Sequence, residues 1–346
     1  MRRVGFFLSL LFLAVACSKK NDMATQVFSQ EHGVLVLCEG NFGWGEGQLH
    51  VLDTNTGRLR TNVFEFVNGI KLGNVVQSAT QLPNDWLVVV NNSEKVLLLE
   101  KSTYRYLTTS SALTSPRYCV FDSLQNLIYV SDLYANGVHI LQYPTLNKVG
   151  FIATKGWTEK LVLKNNRLYI ASSSTDLSTD TSGKDKLLVY NTVQKAIIDS
   201  VRLGKGLQEI AVSPDGKHLA CAYSKAYASG LPSVVIRDAF TLNTMNKITV
   251  ASRPTDLHWL GQALFFLQAQ GLFIWNVASN SSNIFTYPEI GNYTSLLPIS
   301  ASRVFIGNSY NYVTPARLYD CKIAGTSLVV DTSYLTSNII GELYAF

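Results

Sequence analysis

Residues 117–141 read RYCVFDSLQNLIYVSDLYANGVHIL and show the strand pattern of the chain most clearly. It contains three short apolar segments, Arg117–Phe121, Ile128–Asp132 and Val138–Leu141, with polar and glycine-containing turns between them. Short runs rich in Val, Ile and Tyr that are bounded by turn residues are typical of β-strands. The stretch therefore predicts a meander of antiparallel strands.

The same unit returns along the chain. Its apolar strand begins at Val88, Ile128, Leu168, Leu219, Leu264 and Val304, at intervals of 40, 40, 51, 45 and 40 residues. An earlier copy at Leu35–Cys38 makes seven. Four strands in about 40–45 residues is the repeat of a propeller blade. We therefore predict an all-β fold, a seven-bladed β-propeller, with six or eight blades as alternatives.

The C-terminal residues Gly341–Phe346 have no repeat of their own. We expect them to supply the missing first strand of blade one beside Leu35–Cys38, so that the ring is closed by the C-terminal strand. Closure leaves no open sheet edge between the first and last blades. The predicted organisation is a signal peptide at residues 1–16, a lipidated tether at 17–32 and one propeller domain at 33–346.

The composition excludes two classes of protein. Of the 346 residues, 47% are hydrophobic and 15% charged, with 16 Phe and 17 Tyr, which is too apolar and aromatic for a disordered chain. Lys and Arg exceed Asp and Glu by 29 to 24, without a basic run or stripe. We therefore expect no nucleic-acid partner.

The N-terminal segment has the pattern of an export signal. Arg2 and Arg3 precede an apolar run at Val4–Val15, which ends in Leu13–Cys17, LAVAC. This resembles a bacterial lipobox, which predicts lipidation at Cys17 and anchoring in the outer membrane at the cell surface. Secretion after Ala16 with an unmodified Cys17 is the alternative.

Six short motifs stand out along the chain: Glu39–Gly43, Asn68–Val75, Val89–Val96, Ser115–Tyr118, Val130–Tyr134 and Asn311–Pro315. Together they resemble the surface-lipoprotein propellers related to the YncE-type propellers. The resemblance covers nearly the whole mature chain and implies the propeller fold and export. It also implies capture of a cobamide for a TonB-dependent outer-membrane cobalamin transporter, with no other cofactor.

Propeller geometry predicts where a binding site lies. Loops that enter the first strand of each blade share one face with loops between the second and third strands, and loops on a rigid scaffold carry function. The residues placed there are rich in aromatic and amide groups, which suit a ligand with an apolar body and peripheral amides. The predicted ligand-binding residues are Asn41, Phe42, Trp44, Asn74, Gln77, Asn92, Arg117, Tyr118, Asp132, Tyr134, Trp157, Glu159, Tyr223, Tyr310 and Tyr312.

Each of these residues also has a structural interpretation. Asn and Asp side chains often satisfy turn backbone, Arg117 could brace the channel, and Trp157 could pack between blades. Motifs for a nucleophile elbow, a zinc site or a phosphate loop are absent from the sequence. We therefore expect a non-enzymatic capture protein without a metal site.

Two other functions stay open. The first is a propeller hydrolase or lactonase that uses Glu159, Glu209 or Asp256 with a bound metal. The second is a protein-interaction scaffold of the outer membrane.

Overall fold

The computed structural model of the chain describes residues 32–43, 45–173, 185–226 and 230–346. These residues form seven four-stranded antiparallel sheets that follow one another around a ring. The prediction of a seven-bladed β-propeller is confirmed. Within the described ranges, no helix is both long and apolar enough to cross a membrane.

The strands run in chain order through the blades. Blade one contains β1 (Gly33–Cys38), β2 (Gln48–Asp53) and β3 (Arg58–Arg60), and the helix α1 (Val63–Asn68) follows it. Blade two contains β4 (Val76–Gln81), β5 (Asp85–Val90), β6 (Lys95–Glu100) and β7 (Tyr106–Thr109). Blade three contains β8 (Pro116–Asp122), β9 (Leu127–Asp132), β10 (Gly137–Gln142) and β11 (Asn147–Ala153). Blade four contains β12 (Trp157–Lys164), β13 (Arg167–Ser173), β14 (Lys186–Asn191) and β15 (Ala196–Arg202).

The remaining blades repeat the order. Blade five contains β16 (Gly204–Val212), β17 (His218–Ala226), β18 (Ser233–Asp238) and β19 (Thr244–Thr249). Blade six contains β20 (Thr255–Leu260), β21 (Ala263–Gln268), β22 (Gly271–Asn276) and β23 (Ser281–Phe285). Blade seven contains β24 (Tyr293–Ser300), β25 (Arg303–Asn308), β26 (Arg317–Ala324) and β27 (Ser327–Leu335). The chain ends in β28 (Ile340–Ala345).

Burial along each blade explains the hydrophobic pattern. The second strands are buried at nearly every position, because neighbouring blades cover both faces, and β5 with sequence DWLVVV is buried at all of them. The fourth strands lie at the rim of the ring, and β11 is exposed at six of its seven positions. The apolar clusters that hold the ring together therefore lie between successive blades.

The ring is closed as predicted. Strand β28 pairs antiparallel with β1, with Val36 opposite Leu343, and becomes the innermost strand of blade one. The rings of Tyr344 and Phe346 then pack edge-on against Trp86 of blade two, at centroid distances of 6.0 and 5.8 Å. Blade one is thus assembled from both ends of the chain.

Four cysteines lie in the described part of the chain. Cys38, Cys119, Cys221 and Cys321 belong to four different blades, and each is buried and free. Burial raises the pKa of the Cys38 thiol to about 11 and that of Cys119 to about 12. They act as small apolar residues of the core.

Candidate functional site

The loops that connect the strands lie on two opposite faces of the propeller. We call the face at which each innermost strand begins the upper face, and the opposite one the lower face. The innermost strands β28, β4, β8, β12, β16, β20 and β24 enclose a central channel between the two faces. The loops predicted to bind a ligand lie on the upper face.

Asn74 fixes the upper loop of blade one to blade two. Its Nδ2 donates to the carbonyl oxygens of Asn41, at 2.7 Å, and Gly45. Its Oδ1 accepts from Gly43 N at 2.9 Å and from Asn92 Nδ2 at 2.8 Å. One amide side chain thereby satisfies four polar groups of two blades. Asn74, Asn41 and Asn92 are consequently part of a rigid loop support.

Asp132 has the same role between blades two and three. Its carboxylate is fully buried and accepts from the backbone nitrogens of Thr114, Ser115 and Ala135 at 2.8, 2.9 and 3.0 Å. His139 Nε2 lies 3.3 Å away. Burial alone would raise the pKa of Asp132, but these hydrogen bonds hold it below its ordinary value.

The loop that Asp132 anchors presents an aromatic pair. Tyr134 is 61% exposed, and its ring meets the half-buried Trp157 of blade four edge to face, with centroids 6.1 Å apart. Such pairs fix the ring orientations before a ligand arrives. Tyr134 and Trp157 therefore form a preformed aromatic surface over two blades.

Glu289 anchors the upper loop of blade seven. It accepts from Tyr310 Oη at 2.7 Å, from Tyr319 Oη and from Asn308 Nδ2 at 3.3 Å. These hydrogen bonds, with that from Tyr319 foremost, lower the pKa of Glu289. The loop beyond them exposes Tyr312. The sequence carries no signal for Glu289, which lies between two blades and in no repeated motif.

Apolar side chains are exposed on the upper loops around the ring. Hydrogen bonds of Asn74, Asp132 and Glu289 hold the loops that carry Phe42, Tyr134 and Tyr312, so these three side chains stand on fixed supports. The exposed apolar residues of the upper loops are Phe42, Ile70, Tyr134, Leu231, Ile290, Tyr312 and Val313.

All seven innermost strands carry an irregularity close to the upper face. There the innermost strand has one more residue than the second strand opposite it, which is the geometry of a β-bulge. Bulges re-aim side chains, and here they direct polar residues toward the channel. The irregular positions are 77, 117–118, 159–160, 208, 256–257, 294 and 341.

Three of these bulges are linked by Arg117. Its guanidinium donates from Nε to Glu159 Oε2 at 2.8 Å and from Nη1 to Gln77 Oε1. Glu159 is buried, and Arg117 is about three-quarters buried at its side chain. Burial would lower the pKa of Arg117, but Glu159 outweighs it and raises the pKa. Blades two, three and four are therefore joined by one charged group.

Two further ion pairs lie in the channel, one between blades four and one and the other within β20 of blade six. Lys160 Nζ lies 2.9 Å from Glu342 Oε1 and 4.4 Å from the centroid of the Tyr118 ring. His258 Nε2 lies 2.8 Å from Asp256 Oδ1. Burial would lower the pKa of His258, but Asp256 overcomes this effect and raises it.

Two channel carboxylates, Glu39 and Glu209, form no ion pair with a described cation. Burial raises the pKa of each to about 7, and Glu342 adds repulsion at both. Glu209 Oε2 is shielded from solvent and has no hydrogen-bond partner among the described residues. Among the described residues, the channel therefore holds three carboxylates in ion pairs, those of Glu159, Glu342 and Asp256, and two without an ion pair.

The lower half of the channel contains a cavity of about 570 Å³. Lys160, Glu342 and His258 lie at its charged end, and Gln81 and Pro214 lie among the lining residues at the lower face. This cavity lies beneath the ion pairs and not at the predicted upper loops.

The fifteen residues predicted from the sequence occupy different environments. Phe42, Tyr134 and Tyr312 are exposed on the upper face, with Trp157 half-buried beside Tyr134. Tyr223 is buried against Val235 inside blade five. Trp44 and the lipidation site Cys17 lie outside the described residues. Those that brace loops are Asn41, Asn74, Asn92, Asp132 and Tyr310, and those in the channel are Gln77, Arg117, Tyr118 and Glu159.

Sequence reasoning also missed Lys160, Glu342 and Glu39. A signal for the first was present, because Arg117-Tyr118 and Glu159-Lys160 occupy the same place in successive repeats. Charged residues at one register position of an innermost strand in several blades indicate a channel cluster.

The unpaired carboxylates predict a pH dependence. The pKa of Glu39 and of Glu209 is about 7 in the folded chain, against an ordinary value of 4.5. Between pH 4.5 and 7 the folded state therefore binds more protons than the unfolded state. Stability therefore falls as pH rises from about 4.5 through 7, by roughly 3 kcal/mol or less per group. The raised pKa of His258 acts in the same direction, because its stabilising proton is lost as pH rises.

We expect the parent to melt several degrees lower at pH 8 than at pH 5.5. The double variant Glu39→Gln/Glu209→Gln should lose most of this difference, because each amide mimics the neutral acid. Glu46→Gln, an exposed change of the same kind, should melt like the parent at both pH values. A double variant whose melting temperature falls between pH 5.5 and 8 as much as that of the parent would contradict the raised pKa values of Glu39 and Glu209.

Candidate metal ligands do not gather in the described part of the chain. Within it, no three His, Cys, Asp or Glu side chains lie together as a metal-binding group. Of the carboxylates considered for hydrolysis, Glu159 is bound to Arg117 and Asp256 to His258. Of those three, Glu209 is the one with a fully buried oxygen, Oε2, that has no hydrogen-bond partner among the described residues.

The comparisons with known proteins agree with the fold. No family model matches the chain, and no curated protein does. Among solved structures it is similar to a Bacteroides fragilis protein provisionally described as a 6-phosphogluconolactonase, with TM-score 0.67 and 12% identity over 91% of this chain and 97% of that one. A Lactobacillus plantarum protein gives TM-score 0.64 and 15% identity over 92% and 100%. Kuenenia stuttgartiensis hydrazine synthase gives 0.59 and 14% over 72% and 79%. At such identities the likeness shows the propeller fold alone.

Proposed function

We propose that this chain is a lipid-anchored binding propeller of the outer membrane. It captures a bulky nutrient on its upper face and catalyses no reaction on it. The observation that carries the proposal is the set of exposed aromatic side chains on loops fixed by Asn74, Asp132 and Glu289. Rigid aromatic contacts bind at low entropic cost because their orientation is set in advance.

A cobamide is the ligand that we propose for this face. Its macrocycle offers a broad apolar surface, and its peripheral amides can bond the carbonyl and amide groups of the upper loops. The motif resemblance to surface-lipoprotein propellers favours the same ligand, a TonB-dependent transporter as the recipient, and Cys17 as the anchor. The proposal is thus supported by the composition of the face and by the resemblance.

A lactonase is the competing function, because a Bacteroides fragilis neighbour is provisionally described as one. That neighbour is only 12% identical to this chain, so the likeness shows the fold and not the activity. Glu159 and Asp256 are already bound to cations of the channel, which leaves Glu209 as the one of the three carboxylates that could act as a base. No group of metal ligands lies beside it among the described residues. The geometry therefore favours binding.

The test is a titration of the purified full-length chain with cobalamin, followed by visible absorption and calorimetry. Phe42→Ala, Tyr134→Ala and Tyr312→Ala should each weaken binding roughly tenfold or more, as truncated aromatic anchors do. Their melting temperatures should stay near that of the parent, because each side chain is exposed.

Leu124→Ala is the matched control, since Leu124 is an apolar side chain that is 81% exposed on a lower turn. It should bind cobalamin like the parent. A folded parent that gives neither heat nor a spectral change with cobalamin would reject the cobamide. Equal losses in Leu124→Ala and Tyr134→Ala would reject the upper face as the site.

A further inference from the structure

The cavity in the lower half of the channel, of about 570 Å³, has no part in the proposed function. Its walls are largely apolar, with Val162, Leu297, Trp259 and Tyr344 among the lining residues. Cavities of several hundred Å³ with apolar walls and a few polar groups are the usual form of a small-molecule site. The exposed residue Pro214 also lines the cavity at the lower face, so a ligand can enter from that side.

Three charged side chains line this cavity, and each keeps part of its surface exposed. The side chain of His258 is 26% exposed, that of Lys160 19% and that of Glu342 8%. Lys160 belongs to blade four and Glu342 to blade one, which are not neighbours in the ring, so their side chains meet because both reach the channel axis. The charge of His258, on blade six, interacts with both. The three groups therefore stand together at one end of the cavity.

Each of these three side chains keeps hydrogen-bonding capacity that no other described residue uses. Glu342 accepts from Lys160 with Oε1, while its Oε2 has no hydrogen-bond partner and is not closed to solvent. His258 contacts Asp256 through Nε2, which leaves Nδ1. The raised pKa of His258 keeps the ring protonated, and Nδ1 a donor, to a higher pH than in an ordinary histidine. Lys160 Nζ has three hydrogens and bonds one acceptor, Glu342.

The charges around the cavity favour a ligand that carries both signs. A simple anion would be repelled by the excess of channel carboxylates, because Glu39 and Glu209 add to those in ion pairs. A simple cation would be repelled by Lys160 and His258, which stand beside Glu342. A zwitterion has no net charge, and each of its groups can face the opposite charge of the protein.

We propose that the lower cavity binds a free α-amino acid with an aromatic side chain, whose ammonium group donates to Glu342 Oε2 and whose carboxylate accepts from Lys160 and His258. Lys160 Nζ and Glu342 Oε1 lie 2.9 Å apart, so the two charges of the site are as close together as those of a ligand that carries both on one carbon atom. The aromatic ring of the ligand packs against Trp259 and Tyr344, which line the cavity.

The experiment is a calorimetric titration of the full-length protein at pH 6.5 with L-phenylalanine. Two analogues with the same phenyl body test the charges separately, because 2-phenylethylamine lacks the carboxylate and 3-phenylpropionate lacks the ammonium group. Each should bind roughly tenfold or more weakly than L-phenylalanine, since each loses a charge-assisted hydrogen bond. An analogue that binds as well as L-phenylalanine, or a parent that gives no heat at millimolar L-phenylalanine, overturns the proposal.

Glu342→Gln tests the residue that receives the ammonium group. The amide oxygen can still accept from Lys160 but carries no charge, so the affinity for L-phenylalanine should fall roughly tenfold. The affinity for 3-phenylpropionate should be kept or rise, because a repelling carboxylate has been removed. Partial unfolding would weaken both ligands alike and is thereby distinguished. A folded variant that keeps the parent's preference for L-phenylalanine over 3-phenylpropionate contradicts the proposal.

Glu39→Gln is the matched control. It removes the same charge from a channel residue that is not among those lining the cavity, and binding of a ligand without net charge should stay within about twofold of the parent. Tyr134→Ala should also bind L-phenylalanine like the parent, which separates this site from the upper face. Equal losses in Glu39→Gln and Glu342→Gln would show that the amino acid does not bind at the charged end of the cavity.

Discussion

Removal of residues 340–346 is expected to abolish cooperative folding of the propeller. The deletion takes away the innermost strand of blade one and the burial of Ile340, Leu343, Tyr344 and Phe346. Ile340 and Leu343 are buried and Tyr344 and Phe346 partly buried, so at about 1.5–3 kcal/mol for each fully buried large apolar side chain the loss is at most roughly 12 kcal/mol, which rivals the total stability of a typical domain. Circular dichroism during heating measures the effect.

Single substitutions make the same prediction quantitative. Leu343→Ala, at 2% exposure, should cost about 2–5 kcal/mol, while Leu335→Ala, at 57% exposure, should cost little. A synthetic peptide of residues 336–346 should restore the truncated chain in part, because it can add the missing strand. A truncated chain that melts like the parent would show that the ring does not depend on β28.

Arg117→Met is expected to destabilise the fold by about 3 kcal/mol. The change leaves the buried Glu159 without its cation and Gln77 without its donor, and an orphaned buried charge is costly. The exposed pair of Arg105 and Glu100 offers the control, so Arg105→Met should cost less than about 1 kcal/mol. Denaturant unfolding at pH 7 measures both.

A second variant separates charge from packing. Arg117→Met/Glu159→Gln removes both charges, and it should recover much of the stability lost by Arg117→Met alone. If Arg117→Met unfolds like the parent, the channel pair is not structural. The residue would then stay a candidate for ligand contact, as the sequence analysis had it.

The strand pattern predicted the fold well because blade structure is local. Each repeat pairs strands that adjoin in sequence, and turns such as Ser213–Gly216 mark their ends. Closure by the C-terminal residues followed from the lack of a repeat there. The short helix α1 was not predicted, since six residues after β3 carry no extended helical pattern.

The site was less accessible to sequence reasoning because its contacts cross the ring. The composition of the upper loops identified exposed residues such as Tyr134. It could not show that the side chains of Asp132 and Asn74 form hydrogen bonds with the backbone of neighbouring loops. Lys160 and Glu342 meet across 182 positions of sequence. No spacing rule connects them, because their proximity is a product of the closed ring.

The origin of blade one from both ends of the chain has a consequence for biosynthesis. Strands β1 to β3 emerge from the ribosome first, yet their innermost partner β28 is about 300 residues away. Until that strand is available, blade one has a bare edge and the intermediate can pair with other chains. Such a long-range contact also slows the final step. We therefore expect the unfinished chain to stay open to pairing with other chains until β28 has been added to blade one.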